Sequence, residues 1–129
     1  THWGCEHVKE MLDFLIDRLS EMGKGNFKAQ VWNQVVAHMR SKFPLTEGEG
    51  ERTAELCKSK FSQLSNDFVI VQGLKNASGF HFSDKDGACI TMETESVWQT
   101  YTKNHKGSSR FHDKGFAFYD EMQQLVPQK

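Results

Sequence analysis

The sequence predicts an all-α domain, and three observations lead to that fold class. Apolar residues recur at three- and four-residue spacing in five separate segments. Breaks rich in glycine, proline or short polar residues separate these segments. The chain has 129 residues, of which 37% are hydrophobic and 26% charged, and this is enough material for one hydrophobic core.

The first two helices are predicted from their apolar spacing and from the breaks that follow them. Residues 6–22 carry apolar side chains at helical spacing, and Gly-Lys-Gly-Asn at 23–26 ends that pattern. A second helix is expected over about 27–39, with its apolar residues on one side. Pro44 prevents its continuation, and the stretch 45–52 that follows is an acidic, glycine-bearing loop.

A longer third helix is predicted to begin at Thr53, which can act as its N-cap, and to end near Gly73. Its apolar seam keeps a regular three- and four-residue spacing over about four turns. The seam consists of Cys57, Phe61, Leu64, Phe68 and Val71. No strand-like alternation competes with this helical pattern, so the segment is predicted as a helix throughout.

An irregular linker follows the third helix and contains two large aromatic residues. Phe80 and Phe82 come directly after a Ser-Gly pair and alternate with polar residues. Because side chains alternate in an extended segment, both rings can point to the same side. We expect them to pack over the helical bundle near Trp32 and Phe61, and so to hold the second half of the chain against the first.

Two further helices are predicted after this linker. The segment 83–88 has the composition of a turn, and a short helix follows over about 94–102. A polar loop at 103–110 leads to a last helix over about 116–126, which ends at Pro127.

Six motifs occur in chain order over nearly the whole length of the sequence. They are Trp3, the Gly-Asn-Phe of 25–27 with Trp32, the helical segment 57–68, the Leu-x-x-x-Ser-Gly-Phe of 74–80, the pair Trp98 and Tyr101, and the closing segment 118–125. Together they resemble the Myb/SANT-like domain of plant and fungal proteins, many of which are related to Harbinger-type transposons.

This resemblance implies that residues 1–129 form one domain of the Myb/SANT type. It implies a three-helix, homeodomain-like bundle over about 3–73. A C-terminal extension over about 74–126 then consists of the aromatic Ser-Gly-Phe linker and two further helices. The resemblance also implies DNA binding through the third helix, as in helix-turn-helix modules whose recognition helix enters the major groove. A nuclear location is expected for such a domain.

The face of the third helix opposite its apolar seam carries side chains that can hydrogen-bond base edges. Asn and Gln bond adenine bidentately, Lys binds the acceptors of guanine, and Ser donates to or accepts from either. We expect Lys58, Gln63 and Asn66 to contact bases. The other predicted DNA-binding residues on this face are Arg52, Ser59 and Ser62. The alternative interpretation is that these side chains are polar only because an exposed helix face contacts water.

Phosphate contacts require Lys or Arg side chains, and the third-helix face has only Arg52 and Lys58. The polar loop after the fourth helix adds Lys103, Lys106 and Arg110. If the extension folds beside the third helix, these residues can bind the DNA backbone. Otherwise the segment is an ordinary solvated loop.

The sequence therefore predicts a sequence-specific double-stranded DNA-binding module of a nuclear regulatory or transposon-derived protein. The alternative is a SANT-like protein–protein interaction module of a chromatin or transcription complex, with a nuclear or transposase-like protein as partner. A formal net charge of −1 and the acidic loop at 45–52 favour this alternative. A basic stripe around the third helix would favour DNA, and an apolar or acidic groove would favour a protein.

Other function classes lack their motifs in this sequence. Three distant cysteines without a Cys-x-x-Cys pair predict buried free thiols and no zinc site. The acidic turn at 84–87 lacks the ligand series of a calcium loop. No phosphate-binding loop or nucleophile motif occurs, so we expect no enzyme, no cofactor and no small-molecule substrate. No apolar stretch approaches about 18 residues, so no membrane partner is expected.

Overall fold

The computed structural model of the protein describes residues 3–21, 27–44, 52–77 and 79–126, and all the regular elements in these ranges are helices. The elements are α1 (Cys5–Asp17), a 3-10 turn (Leu19–Glu21), α2 (Ala29–Lys42), α3 (Ala54–Asn76), α4 (Glu95–Asn104), a second 3-10 turn (Ser108–Phe111) and α5 (Tyr119–Leu125). The described residues contain no strand, which confirms the all-α prediction. The break predicted at 23–26 and residues 45–51 of the loop predicted at 45–52 lie outside the described residues, as does Ser78 of the linker.

The chain divides into two compact units. The first comprises residues 1–64 and 120–129, and the second comprises residues 65–119. The division falls inside α3. The reason is that the second half of this helix supplies core residues to the second unit, where Phe68 packs against Tyr119 with ring centroids 5.0 Å apart.

The first unit has an apolar core formed by one face each of α1, α2 and the first half of α3, together with residues of α5. Its buried apolar residues are Val8, Met11, Leu12 and Leu15 of α1, Phe27 just before α2, Val31, Trp32, Val35 and Met39 of α2, Cys57, Phe61 and Leu64 of α3, and Met122 and Leu125 of α5. The ring centroids of Trp32 and Phe61 lie 5.7 Å apart, and Phe27 lies about equally close to both. Each large side chain removed from water contributes about 1.5–3 kcal/mol, so this core fixes which side of α3 faces inward.

Thr53 begins α3 as predicted, because its Oγ1 accepts a hydrogen bond of 3.2 Å from the backbone N–H of Leu56. One turn later Cys57 is fully buried, and burial raises the pKa of its thiol to about 11. Cys5 and Cys89 are also free thiols but are exposed, so the prediction of buried thiols is correct only for Cys57. Cys5 is the first residue of α1, where the helix end is open to solvent, and Cys89 lies outside the helices.

The turn predicted at 83–88 is present in the second unit. Ser83 and Gly87 exchange two backbone hydrogen bonds of 2.7 and 2.9 Å, and Oγ of Ser83 accepts two more from backbone N–H groups inside the turn. Gly87 has a φ of 87°, and a Cβ there would lie 2.5 Å from the carbonyl oxygen of Phe111. The turn therefore requires glycine at this position.

Phe80 and Phe82 pack within the second unit. The ring of Phe80 lies edge-on to Trp98 and Tyr101, at centroid distances of 5.4 and 5.6 Å. The ring of Phe82 lies 6.1 Å from that of Phe111. Phe80 is buried by these contacts, whereas Phe82 is partly exposed.

These contacts correct the expectation that both rings pack near Trp32 and Phe61, which belong to the first unit. The alternation of the linker shows that its two aromatic side chains share a side, but it does not show which residues meet them. The partners of Phe80 come from α4, where Trp98 and Tyr101 are three residues apart and therefore share a helix face.

Replacing Phe80 by Ala should lower the free energy of unfolding by about 3–5 kcal/mol, because it leaves a cavity against Trp98 and Tyr101. Chemical denaturation followed by circular dichroism measures this change. His81→Ala, at the exposed neighbouring position, is the matched control and should stay within about 0.5 kcal/mol of the wild type. Equal midpoints for Phe80→Ala and the wild type would contradict the packing described above.

Candidate nucleic-acid interface

The outward face of α3 is the surface on which the DNA-binding prediction depends. The helix has 23 residues and is about 35 Å long. Four of the predicted DNA-binding residues are exposed on it within about two turns of the helix, namely Ser59, Ser62, Gln63 and Asn66. Since they belong to one continuous helix, their common face follows from helical geometry alone.

Lys58 lies at the edge of this face and is partly buried. Its Nζ lies 3.9 Å from Oε1 of Glu55, whose side chain is exposed. An exposed pair of this kind contributes at most about 1 kcal/mol in water, so a DNA group can replace the carboxylate. Lys58 therefore stays accessible to DNA, although Glu55 weakens the positive potential around it.

Arg52 is not on the outward face, where the sequence placed it. Only 6% of this residue is exposed. The carbon of its guanidinium lies 5.1 Å from the centroid of the Trp3 ring, which is a cation–π contact. The prediction assigns Arg52 to this face by applying the helical rotation per residue to a position before the Thr53 cap. The chain is not helical at that position. We therefore leave Arg52 out of the DNA contacts proposed below.

Arg110, in the second unit, is held beside α3. Its Nη2 donates a hydrogen bond of 2.6 Å to Oδ1 of Asp67, which is the residue after Asn66 on the helix. Its Nε donates a bond of 3.3 Å to the carbonyl oxygen of Gly107, and its guanidinium carbon lies 5.0 Å from the ring centroid of Phe111. The side chain of Arg110 remains 47% exposed, and that of Asp67 is 14% exposed. The guanidinium is thus oriented by three contacts and still reaches solvent.

Lys106 is exposed in the same loop and is next to a contact with α3. Gly107 has a φ of 88°, and a Cβ at this glycine would lie 3.1 Å from Cδ1 of Ile70. The loop therefore contacts α3 one turn beyond Asn66. The structure thus brings Arg110, and the backbone next to Lys106, close to the part of α3 between Asn66 and Ile70.

Lys103 is exposed in the last turn of α4, but its position relative to α3 is different. A Cβ at Gly73 of α3 would lie 3.0 Å from the hydroxyl of Tyr101, so Tyr101 is on the side of α4 that contacts α3. Lys103 follows by two residues, which is about 200° around the helix axis. It is therefore on the opposite side of α4, away from α3.

The contacts of Gly107 and Tyr101 also limit the length of the accessible face. Gly107 contacts Ile70, and Tyr101 contacts Gly73. Ile70 and Gly73 continue the row of Ser59, Ser62 and Asn66 towards the end of α3. The accessible part of the face therefore ends at Val69. This valine is 58% exposed.

Two residues at this surface were not predicted from the sequence, Asp67 and Val69. Nothing in the sequence pairs Asp67 with Arg110, because 43 residues separate them. Val69 carried a signal that could have been used, since it is an apolar residue outside the buried seam of an amphipathic helix.

A shallow groove of about 460 Å³ runs along α4 in the second unit. It is lined by Ser96, Val97, Thr100, Tyr101, Asn104 and His105. The rings of Tyr101 and His105 are stacked, with centroids 3.9 Å apart, and Val97 is 40% exposed. Burial raises the pKa of the Tyr101 hydroxyl. The groove offers apolar and aromatic surface to a partner.

Metal ligands and membrane spans were searched for over the described ranges of the chain. No group of three or more His, Cys, Asp or Glu side chains in these ranges is arranged to hold a metal ion. None of the helices described above is long and apolar enough to cross a membrane.

The longest helix of the chain turns a polar face outward, and a loop with basic residues lies beside the second half of this helix. The family model of the Myb/SANT-like DNA-binding domain matches residues 2–101. The protein therefore belongs to the family of Myb/SANT-like DNA-binding domains, and the resemblance found in its motifs is confirmed. This is a family of DNA-binding domains and not of enzymes. No curated protein and no solved structure matches the chain.

The matched residues cover α1, α2, α3, the aromatic linker and the first seven residues of α4. Lys103, Lys106 and Arg110 lie beyond residue 101, so the family match does not include them. A role of these three residues in DNA binding depends on the contacts described above.

Proposed function

We propose that the domain binds double-stranded DNA sequence-specifically, with the outward face of α3 in the major groove, as part of a nuclear regulatory or transposon-derived protein. The family match supports DNA as the partner. The observation that carries the finer proposal is the position of Arg110, which is held next to Asn66 by its bond to Asp67. A candidate base contact, Asn66, and the carboxylate that holds a candidate phosphate contact are thereby consecutive residues on one turn of α3.

The base contacts are assigned to the exposed residues of α3. Asn66 and Gln63 each carry an amide that can donate to and accept from an adenine edge. Ser59 and Ser62 are short, so they let the helix approach the floor of the groove. Lys58, at the edge of the face, can bind a guanine acceptor once Glu55 is displaced.

The phosphate contacts are assigned to Arg110 and Lys106. A guanidinium has five N–H donors, and the bonds from Arg110 to Asp67 and Gly107 occupy two of them. Because Asp67 already orients this side chain, binding a phosphate costs little further conformational entropy. Lys106 adds a second positive charge four residues away in the same loop.

A second candidate function is protein–protein interaction, which the groove along α4 supports. A groove lined by Val97 and the stacked pair of Tyr101 and His105 suits an apolar or aromatic side chain of a partner. The groove is on α4, so this function does not compete with DNA for α3. A domain that enriches no DNA motif in the experiment below would favour the second candidate.

Selection from a random double-stranded DNA library should enrich a short motif, and Asn66→Ala should then weaken binding to that motif by about 1–3 kcal/mol. The loss on random DNA should be much smaller, because a lost base contact affects only the preferred sequence. Fluorescence anisotropy with both duplexes measures the difference. Asn104→Ala, at an exposed position of α4, is the matched control and should change neither affinity. An equal loss on both duplexes would remove Asn66 from the base contacts.

Arg110→Ala should weaken binding to every sequence and reduce the slope of log affinity against log salt by about 1, because one phosphate contact is lost. Titrations at several salt concentrations give this slope. Lys103→Ala is the control, since its side chain is on the far side of α4 and should leave the slope unchanged. The double variant Asp67→Asn/Arg110→Ala separates a lost contact from repulsion by the uncovered carboxylate. A slope equal to the wild type in both Arg110 variants would show that this residue does not reach phosphate.

A further inference from the structure

Val69 is an exposed apolar side chain at the end of a polar helix face. It is 58% exposed, whereas the seam of α3 is buried. The core does not require a valine at this position, and valine is a poorer helix former than alanine. Leu56, in the first turn of α3, is the other large apolar side chain exposed on this helix. Single exposed apolar residues are ordinary on protein surfaces, so exposure alone does not indicate a function for Val69. Its location beside the proposed base-contacting residues of α3 is the observation that indicates one.

Val69 follows Asn66 by three residues and closes the accessible part of the face. Beyond it, Ile70 contacts Gly107, and Gly73 contacts Tyr101. Val69 lies about 4.5 Å further along the helix axis than Asn66, which is close to the rise of about 3.4 Å per base pair. A helix whose axis follows the groove, and which places Asn66 against one base pair, can therefore bring Val69 to the next one.

We propose that Val69 contacts the C5-methyl group of a thymine in the major groove, at the base pair adjacent to the one bound by Asn66. The thymine methyl is the apolar group that base pairs present in this groove, and apolar side chains recognise it. Contact between the two groups removes apolar surface from water on both sides. Val69 then determines specificity for thymine over cytosine at that position. The inference rests on the proposed function, because it requires α3 to lie in the major groove.

The test uses the preferred duplex obtained from the selection. Each thymine is replaced in turn by deoxyuridine, which removes the methyl group and leaves base pairing and the hydrogen-bonding edge unchanged. At one position we expect the wild type to lose roughly fourfold in affinity, which corresponds to about one buried methyl group. Val69→Ala should lose about the same factor on the thymine duplex and should bind the thymine and uracil forms equally.

Val97→Ala, at the exposed valine of α4, is the matched control and should keep the full discrimination between thymine and uracil. Val69→Ala is expected to fold, because the position is exposed and alanine favours helix. A motif in which no thymine methyl matters, or a Val69→Ala variant that keeps the discrimination, would overturn the inference and leave the proposed function intact. Failure of the wild type to bind any duplex would overturn both.

Discussion

The buried apolar seam of α3 is the constraint on which the other features of this domain depend. The seam runs from Cys57 through Phe61, Leu64 and Phe68 to Val71, and all five residues are at most 9% exposed. Turning the helix by one residue, about 100°, would expose several of these side chains, each at a cost of about 1.5–3 kcal/mol. The rotation of α3 is therefore fixed along its length, and with it the identity of the side chains that face solvent.

The buried seam also explains why the periodicity of the sequence was sufficient to predict the helices. A regular apolar spacing shows which side of each helix is buried, and local chemistry adds the Thr53 cap and the turn at 83–88. Partners distant in sequence leave no such signal. The ring contacts of Phe80 with Trp98, and the pair of Asp67 with Arg110, depend on how distant segments fold together. No spacing within either segment encodes them.

For the candidate site, too, apolar spacing predicts the positions of some residues and not of others. The exposed position of Ser59, Ser62, Gln63 and Asn66 could be predicted, because it is the complement of the seam. The burial of Arg52 could not be predicted, because this residue precedes the first residue of α3 and the 100° rotation per helical residue does not apply to it. The direction of Lys103 could not be predicted either, because it depends on which side of α4 contacts α3. A role in DNA binding remains a prediction for Ser59, Ser62, Gln63 and Asn66.

The charge of the domain has a consequence for how it would select DNA. With a formal net charge of −1, the chain has little long-range attraction for a polyanion. Few residues are proposed to contact phosphate, and the strongest candidate, Arg110, is partly neutralised by Asp67. Non-specific affinity comes almost entirely from phosphate contacts, whereas discrimination comes from base contacts. A domain with few phosphate contacts therefore binds random DNA weakly, and a larger share of its binding free energy depends on the side chains of α3.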